Sequence, residues 1–379
     1  MLNGIAMVGG IVLILSVLWE TYETIVLPRR VTRQFRITRY FYRLTWKPWA
    51  ILASLRRNTK KRDALLSYYG PISLLLLLAF WAASLMLGFA LVYYGADTPF
   101  KGQVYASRFG NDIYLSGTTL FTLGIGDLTP ASRLGRSLIV LEAGIGFGFL
   151  ALVIGYLPVL YQAFSRREVT ISLLDARAGS PPTATELIRR HAGEHGEQAL
   201  LDLLRDWERW SADLMESHLS YPVLAYFRSQ HDNQSWLGSL TAILDVCALA
   251  MAGVGGMCEY QARMTFAIAR HALVDLSQIF ASRPVSIDFD RLPPPVMARM
   301  REQLREQGIH LDLGEAAHAQ LAHTRSLYEP YALALSRYLC MDLPPWIKDG
   351  VIKDNWKTTA WQPASSHGRR RRAAGEEHF

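Results

Sequence analysis

Between two long apolar stretches the chain reads Ile113-Tyr-Leu-Ser-Gly-Thr-Thr-Leu-Phe-Thr-Leu-Gly-Ile-Gly-Asp-Leu-Thr-Pro130. This segment is too short and too polar to cross a bilayer and return as two helices. Irregular backbone at membrane depth survives only where protein buries it or where it lines water. The segment is therefore expected to dip in and come back: a short helix over Asp112 to Phe121, then an extended strand. Within it, Thr122-Leu123-Gly124-Ile125-Gly126 places glycine at every second position. Glycine accepts positive φ at little steric cost, so an alternating run can turn successive carbonyls to one side. Such carbonyls can replace the hydration shell of a cation. The Thr122 hydroxyl adds an oxygen at the inner mouth. Asp127 follows at once, to brace the strand from behind or to sit at the outer mouth. The short helix ends at this run, and its carboxyl end favours a cation.

Working outward, three apolar runs are long enough to span a bilayer: Ile5 to Leu27, Pro71 to Tyr94 and Leu134 to Phe164. The first has its basic flank after the apolar run and no small-residue cleavage site, which fits a signal-anchor helix better than a signal peptide. Tyr93 and Tyr94 close the second run as an interfacial belt. The segment Arg29 to Arg62 carries twelve Lys or Arg and no acid. By the positive-inside rule it is cytoplasmic, the loop Gly95 to Asn111 is external, and everything after Arg166 is cytoplasmic again. Net charge is +7. A basic chain can bind nucleic acid or anionic membrane. The apolar neighbours of this block make membrane topology the better explanation, and no nucleic-acid partner is expected. Phe35, Tyr40, Phe41, Leu44, Trp46 and Trp49 among the arginines read as an amphipathic helix on anionic lipid.

The stretch Thr122 to Pro130 resembles the signature of potassium channels, Thr-Val-Gly-Tyr-Gly-Asp followed two residues later by Pro. Leu134-Gly135-Arg136 looks like the start of their inner helix. Pro71 to Arg167, about a quarter of the chain, looks like the outer-helix, pore-loop, inner-helix module of the two-transmembrane channel superfamily. The resemblance implies passive K⁺ conduction through a homotetramer. Its selectivity filter would be Thr122, Leu123, Gly124, Ile125 and Gly126, with K⁺ held at filter carbonyls only and no cofactor. Thr118, Thr119 and Asp127 would support the filter. Where the family usually has Tyr or Phe, this chain has Ile125. That keeps the carbonyl and loses the bracing ring, so a weakly selective monovalent cation channel is the alternative reading.

Glu142 is an intramembrane acid and a functional candidate for that reason. It either faces the cavity or stands behind the filter and bonds the pore helix; its distance from Gly135 favours the second. Gly146 falls where the family's hinge glycine is expected, though small residues also serve close packing. Gly155 and Pro158 lie lower, and Pro158 is expected to kink the helix.

The fold expected is an all-α membrane protein: outer helix, pore helix, filter and inner helix, plus an N-terminal transmembrane helix and a cytoplasmic all-α domain. It would be a multi-pass protein of the cell membrane. Its parts would be residues 1–28 (first span), 29–70 (basic interfacial segment), 71–167 (pore module), 168–345 (helical domain) and 346–379 (disordered tail). After a short extended stretch, Glu168 to Leu174, helical patterns cover Thr183–His191, Glu197–Ser220, Pro222–Arg228, Ser235–Met251, Met257–Phe280, Pro295–Gln307 and Glu315–Cys340. Leu240 to Met257 is apolar enough to raise a fourth span, but Asp245 and its small residues point to a buried soluble helix. The odd cysteine count fits a reducing compartment. No dinucleotide-binding glycine fingerprint indicates the ligand-gating domain common in related channels, and no nucleophile–base or metal constellation supports the alternative of a membrane-anchored sensor or enzyme.

Overall fold

The computed structural model describes residues 2–27, 36–102, 107–231, 233–254, 258–285, 290–309, 311, 314–348 and 350. Part of the basic block, 28–35, and the tail 351–379 lie outside them. The chain forms two compact units. The first is Met1–Ser165 with Ser217–Arg228. The second takes the other described residues.

In the first unit, α1 (Leu2–Thr21) widens into a π-turn, Tyr22–Val26. It packs on α4 (Tyr69–Gly95). The two backbones approach closely at glycines: a Cβ on Gly88 would stand 2.7 Å from Ile14 Cγ1. Small residues permit such contact between membrane helices. α2 (Ile37–Ser54) and α3 (Thr59–Ser67) occupy the basic segment. The first turn of α2 is capped from α1. Glu20 accepts the amides of Ile37 (3.1 Å) and Thr38 (3.2 Å) and the Thr38 hydroxyl (2.8 Å). These bonds satisfy donors that a helix start leaves open.

The pore loop begins with β1 (Phe100–Gly102) and α5 (Arg108–Leu120), and leaves by β2 (Leu128–Pro130). α5 starts a turn earlier than the sequence pattern indicates, because the Ser107 side chain accepts from the Gly110 amide. β1 and β2 pair antiparallel, Phe100 with Pro130 and Gly102 with Leu128. α6 (Arg133–Ala178) then runs unbroken, with Pro158 inside it.

The extended stretch expected at Glu168 to Leu174 is instead helical. Its β-branched residues favour a strand locally. Burial of Arg167, Ile171, Leu174, Asp175 and Ala178 follows a helical period and decides the outcome.

Residues from later in the chain join the first unit. Pro222–Tyr226 is a 3₁₀ turn. Val223, Leu224 and Phe227 share a core with Leu74, Tyr156, Leu160 and Ala163.

The second unit holds α7 (Ala184–Arg190), most of α8 (Gly196–Ser220), α9 (Trp236–Leu249), α10 (Glu259–Ile279), α11 (Pro294–Arg305), α12 (Glu315–Ser326) and α13 (Glu329–Leu339). The pattern Glu315 to Cys340 is two helices, because Pro330 enters the first turn of α13 and Tyr328 leaves helical geometry. Trp207, Trp210 and Trp236 are buried. Trp346 and Ile347 are buried as well, so packed chain continues past residue 345; the Trp346 carbonyl accepts from Thr185 Oγ1 at 2.6 Å.

By length and composition, four helical stretches among the described residues could cross a membrane: Leu2–Val26, Thr59–Gly95, Arg133–Ala178 and Trp236–Gly253. The most apolar part of the fourth is 89% buried inside the protein, which leaves little surface for lipid. Asp245 within it is buried and paired. Arg291 donates to both its oxygens (3.1 and 2.8 Å), to Glu329 (3.0 Å) and to the Pro344 carbonyl (2.8 Å). Tyr328 donates to the same carboxylate. Burial alone would push the Arg291 guanidinium down; Asp245, Tyr328 and Glu329 more than offset it and hold it above its usual range.

Candidate ion pathway

Helix α5, expected from sequence as the pore helix, ends at Leu120, and its last carbonyls accept from the segment that follows. The Thr118 carbonyl accepts the amides of Leu123 (2.8 Å) and Gly124 (3.1 Å), and the Thr119 carbonyl accepts that of Thr122 (3.0 Å). The backbone of this segment, expected from sequence to be the filter, then alternates in hand. Thr122, Gly124 and Gly126 have φ of 55°, 55° and 81°, while Leu123 and Ile125 are not in that region. Gly124 and Gly126 adopt it freely. Thr122 does so despite its Cβ, at a position whose amide is tied to the helix end.

Beyond the filter, Asp127 accepts from the Tyr114 hydroxyl at 2.8 Å, which fastens the strand to α5. Thr118 Oγ1 turns back to the Leu115 carbonyl at 3.0 Å. Leu123 and Ile125 are 64% and 60% exposed in the single chain.

Glu142 on α6 lies fully buried behind the pore helix. Tyr93 Oη stands 2.7 Å from one of its carboxyl oxygens and Ser116 Oγ 2.5 Å from the other. Three helices, α4, α5 and α6, thus meet at one carboxyl. Tyr93 reads from sequence as part of an interfacial belt; the structure buries it completely. No local pattern pairs it with Glu142, since the two are 49 residues apart.

Gly146 has a packing task. A side chain there would collide with the Leu120 carbonyl at the end of the pore helix. Gly155 has open space around it and borders an apolar cavity of about 210 Å³ lined also by Ile25, Leu152, Tyr156 and Val159. Among the described residues, no group of three His, Cys, Asp or Glu side chains is placed to hold a metal ion.

Two long apolar helices, a short helix between them and an alternating turn leading away from it make the arrangement expected of a pore-loop module. Residues 76–162 match the family described as ion channel. It is similar to an uncharacterized membrane protein, YdjJ, of Bacillus subtilis (strain 168): 25% identical over 214 residues, covering 55% of this chain and 59% of that one. It is also similar to protein LctB of Geobacillus stearothermophilus, 31% identical over 84 residues, covering 20% of this chain and 62% of that one. The chain therefore spans about three fifths of the length of these relatives. No solved structure matches it.

Proposed function

We infer that this chain is one subunit of a potassium-preferring channel in which four copies close a filter of backbone oxygens around a common axis. The observation that carries this reading is the alternation of backbone hand at Thr122, Gly124 and Gly126. An extended run that alternates in this way can direct its carbonyls to one side, where they can replace a cation's water. A single loop makes only part of such a ring, and cyclic closure by identical copies supplies the rest. The apolar side chains that one subunit leaves exposed on the filter and α6, among them Leu123, Ile125, Phe147 and Ile154, are in keeping with burial between copies.

Ile125 favours a second reading, a monovalent cation channel of softer selectivity. The reversal potential of purified protein in planar bilayers, under opposed K⁺ and Na⁺ gradients, separates the two. A clear K⁺ preference is expected. Equal permeability defeats the preference, and a protein that is monomeric in native-like lipid defeats the assembly.

The second unit is assigned to the cytoplasm by the basic block before α4, and a regulatory role is assigned to it. Supporting that role, Ser217–Arg228 belongs to the pore-bearing unit, where Tyr221 packs on Tyr156 (5.6 Å) and Phe227 on Phe164 (5.6 Å). These aromatics flank Pro158, where α6 is assigned its flexure together with Gly155. α2 is assigned to the anionic lipid surface. Leu44, Ile51, Leu52 and Leu55 form an exposed apolar face at helical spacing, beside Arg39, Arg43 and Lys47.

A further inference from the structure

The buried cluster behind the pore helix contains one more hydrogen-bond contact than its ordinary hydrogens can fill. Tyr93 Oη lies 2.7 Å from Glu142 Oε2 and Ser116 Oγ lies 2.5 Å from Glu142 Oε1. Ser116 Oγ also lies 2.9 Å from the Met86 carbonyl oxygen. A carbonyl and an ionised carboxylate only accept; a serine or tyrosine hydroxyl donates once. Tyr93 and Ser116 together supply two hydrogens for three contacts. With Glu142 ionised, Ser116 must abandon either the carboxylate or the Met86 carbonyl. A carboxylic acid removes the conflict. Tyr93 donates to Oε2, the acid donates from Oε1 to Ser116, and Ser116 donates to Met86. Every contact is then filled once.

The surroundings agree with a neutral group. Glu142, Tyr93 and Ser116 are fully buried. No cationic side chain pairs with Glu142 among the described residues. Tyr93 on α4 is the titratable group in contact with it, and Asp112 on α5 acts electrostatically on Tyr93. A lone buried carboxylate without a counter-charge is costly, and taking up a proton relieves that cost.

We propose that Glu142 is held protonated, and that the neutral acid, with Tyr93 and Ser116, forms a positioning bridge that fixes the pore helix behind the filter. On α5 the bridge residue Ser116 is two positions before Thr118, whose carbonyl holds the amides of Leu123 and Gly124. Its grip is thereby passed to the filter entrance. This use of the bridge rests on the channel reading; the protonation itself does not.

The test compares wild type, Glu142→Gln, Glu142→Ala and Tyr93→Phe in full-length protein reconstituted in bilayers. Glutamine reproduces the neutral acid, since its NH₂ donates to Ser116 and its carbonyl accepts from Tyr93. Glu142→Gln is expected to keep the wild-type K⁺/Na⁺ permeability ratio. Glu142→Ala and Tyr93→Phe are expected to lower it about fivefold, the scale of one lost hydrogen bond. Raising the pH is expected to lower the wild-type ratio reversibly and to leave that of Glu142→Gln unchanged. Infrared spectra are expected to show a protonated-carboxyl C=O band in wild type that Glu142→Gln lacks.

If Glu142→Gln behaves like Glu142→Ala, or if that band is missing from wild type, the proposal is overturned. If Glu142→Ala does not assemble, Tyr93→Phe and the spectrum decide. If wild type passes no ions while the band is present, the channel reading fails and the protonated acid stands.

Discussion

Two helices of this chain are apolar enough to cross a bilayer, yet they bury opposite shares of themselves. The most apolar stretch of Arg133–Ala178 is 11% buried inside the chain; that of Trp236–Gly253 is 89% buried. Among the acids they carry, Glu142 and Asp245 are fully buried. Their partners differ in kind. Glu142 meets hydroxyls from Tyr93 and Ser116. Asp245 meets the Arg291 guanidinium through two bonds. An apolar helix that finds its neighbours within its own unit can hold an ionised acid, because that unit also supplies the cation. The inner helix, left mostly bare by its own chain, has neutral partners for its acid. The same amide substitution in the two places therefore asks opposite questions.

Asp245→Asn is expected to give the largest effect. It leaves Arg291 and Glu329 in a buried network that has lost one charge, and breaking a buried pair costs roughly 3–5 kcal/mol. Thermal unfolding, followed by hydrogen exchange in α9 and α10, should show a marked loss confined to the second unit. A change as small as that of Glu142→Gln would erase the distinction drawn between the two acids.

Gly146→Ala sharpens the view of the inner helix. Although α6 is mostly unburied, its backbone is pressed against the Leu120 carbonyl at that glycine. A methyl group there has to displace main chain, at roughly 1–3 kcal/mol. Gly144→Ala, at a glycine with open space around it, is the matched control and should leave the melting temperature unchanged. Equal behaviour of the two variants would return Gly146 to a role in bending rather than contact.

A third buried acid, Glu20, lies between these cases. Backbone amides at the start of α2 hold it, together with the Thr38 hydroxyl. Glu20→Gln turns one acceptor into a donor facing an N–H group. A cost of about 1–2 kcal/mol is expected, set by the unsatisfied bond and the lost charge at a helix start. The readout is faster exchange in the first turn of α2, with α9 unaffected.

Much of this arrangement is written locally in the chain. Alternating glycines after a threonine-rich helix mark the pore loop, and long apolar runs poor in charge mark the spans. Counting from Gly135 places Glu142 level with the pore helix. Partners that lie far apart in sequence left no such trace. Tyr93 at a helix end is indistinguishable from an interfacial tyrosine until α4 and α6 are packed. The helical course of Glu168 to Leu174 was hidden by Val169, Thr170 and Ile171, whose local preference for strands yields to continuation of α6. Trp346 reads as part of a polar tail because its cover, Thr185 and the arginines 291 and 325, comes from three other segments.

Glu142→Gln is expected to have the smallest effect on stability, under about 0.5 kcal/mol, because an amide can fill the same contacts as a neutral acid. Its unfolding midpoint should match wild type at acid pH, where the carboxyl is neutral in both the folded and the unfolded chain. As pH rises the two should part. An acid held neutral by burial contributes stability that is fully present below the ordinary carboxylate range and is lost as pH rises from there through its raised folded-state range. Wild type is then the less stable of the pair, while the glutamine variant, having nothing to ionise at that position, keeps its midpoint. Superimposable pH profiles would mean that Glu142 is already charged, and that two hydroxyls alone can hold a carboxylate where the second unit uses an arginine.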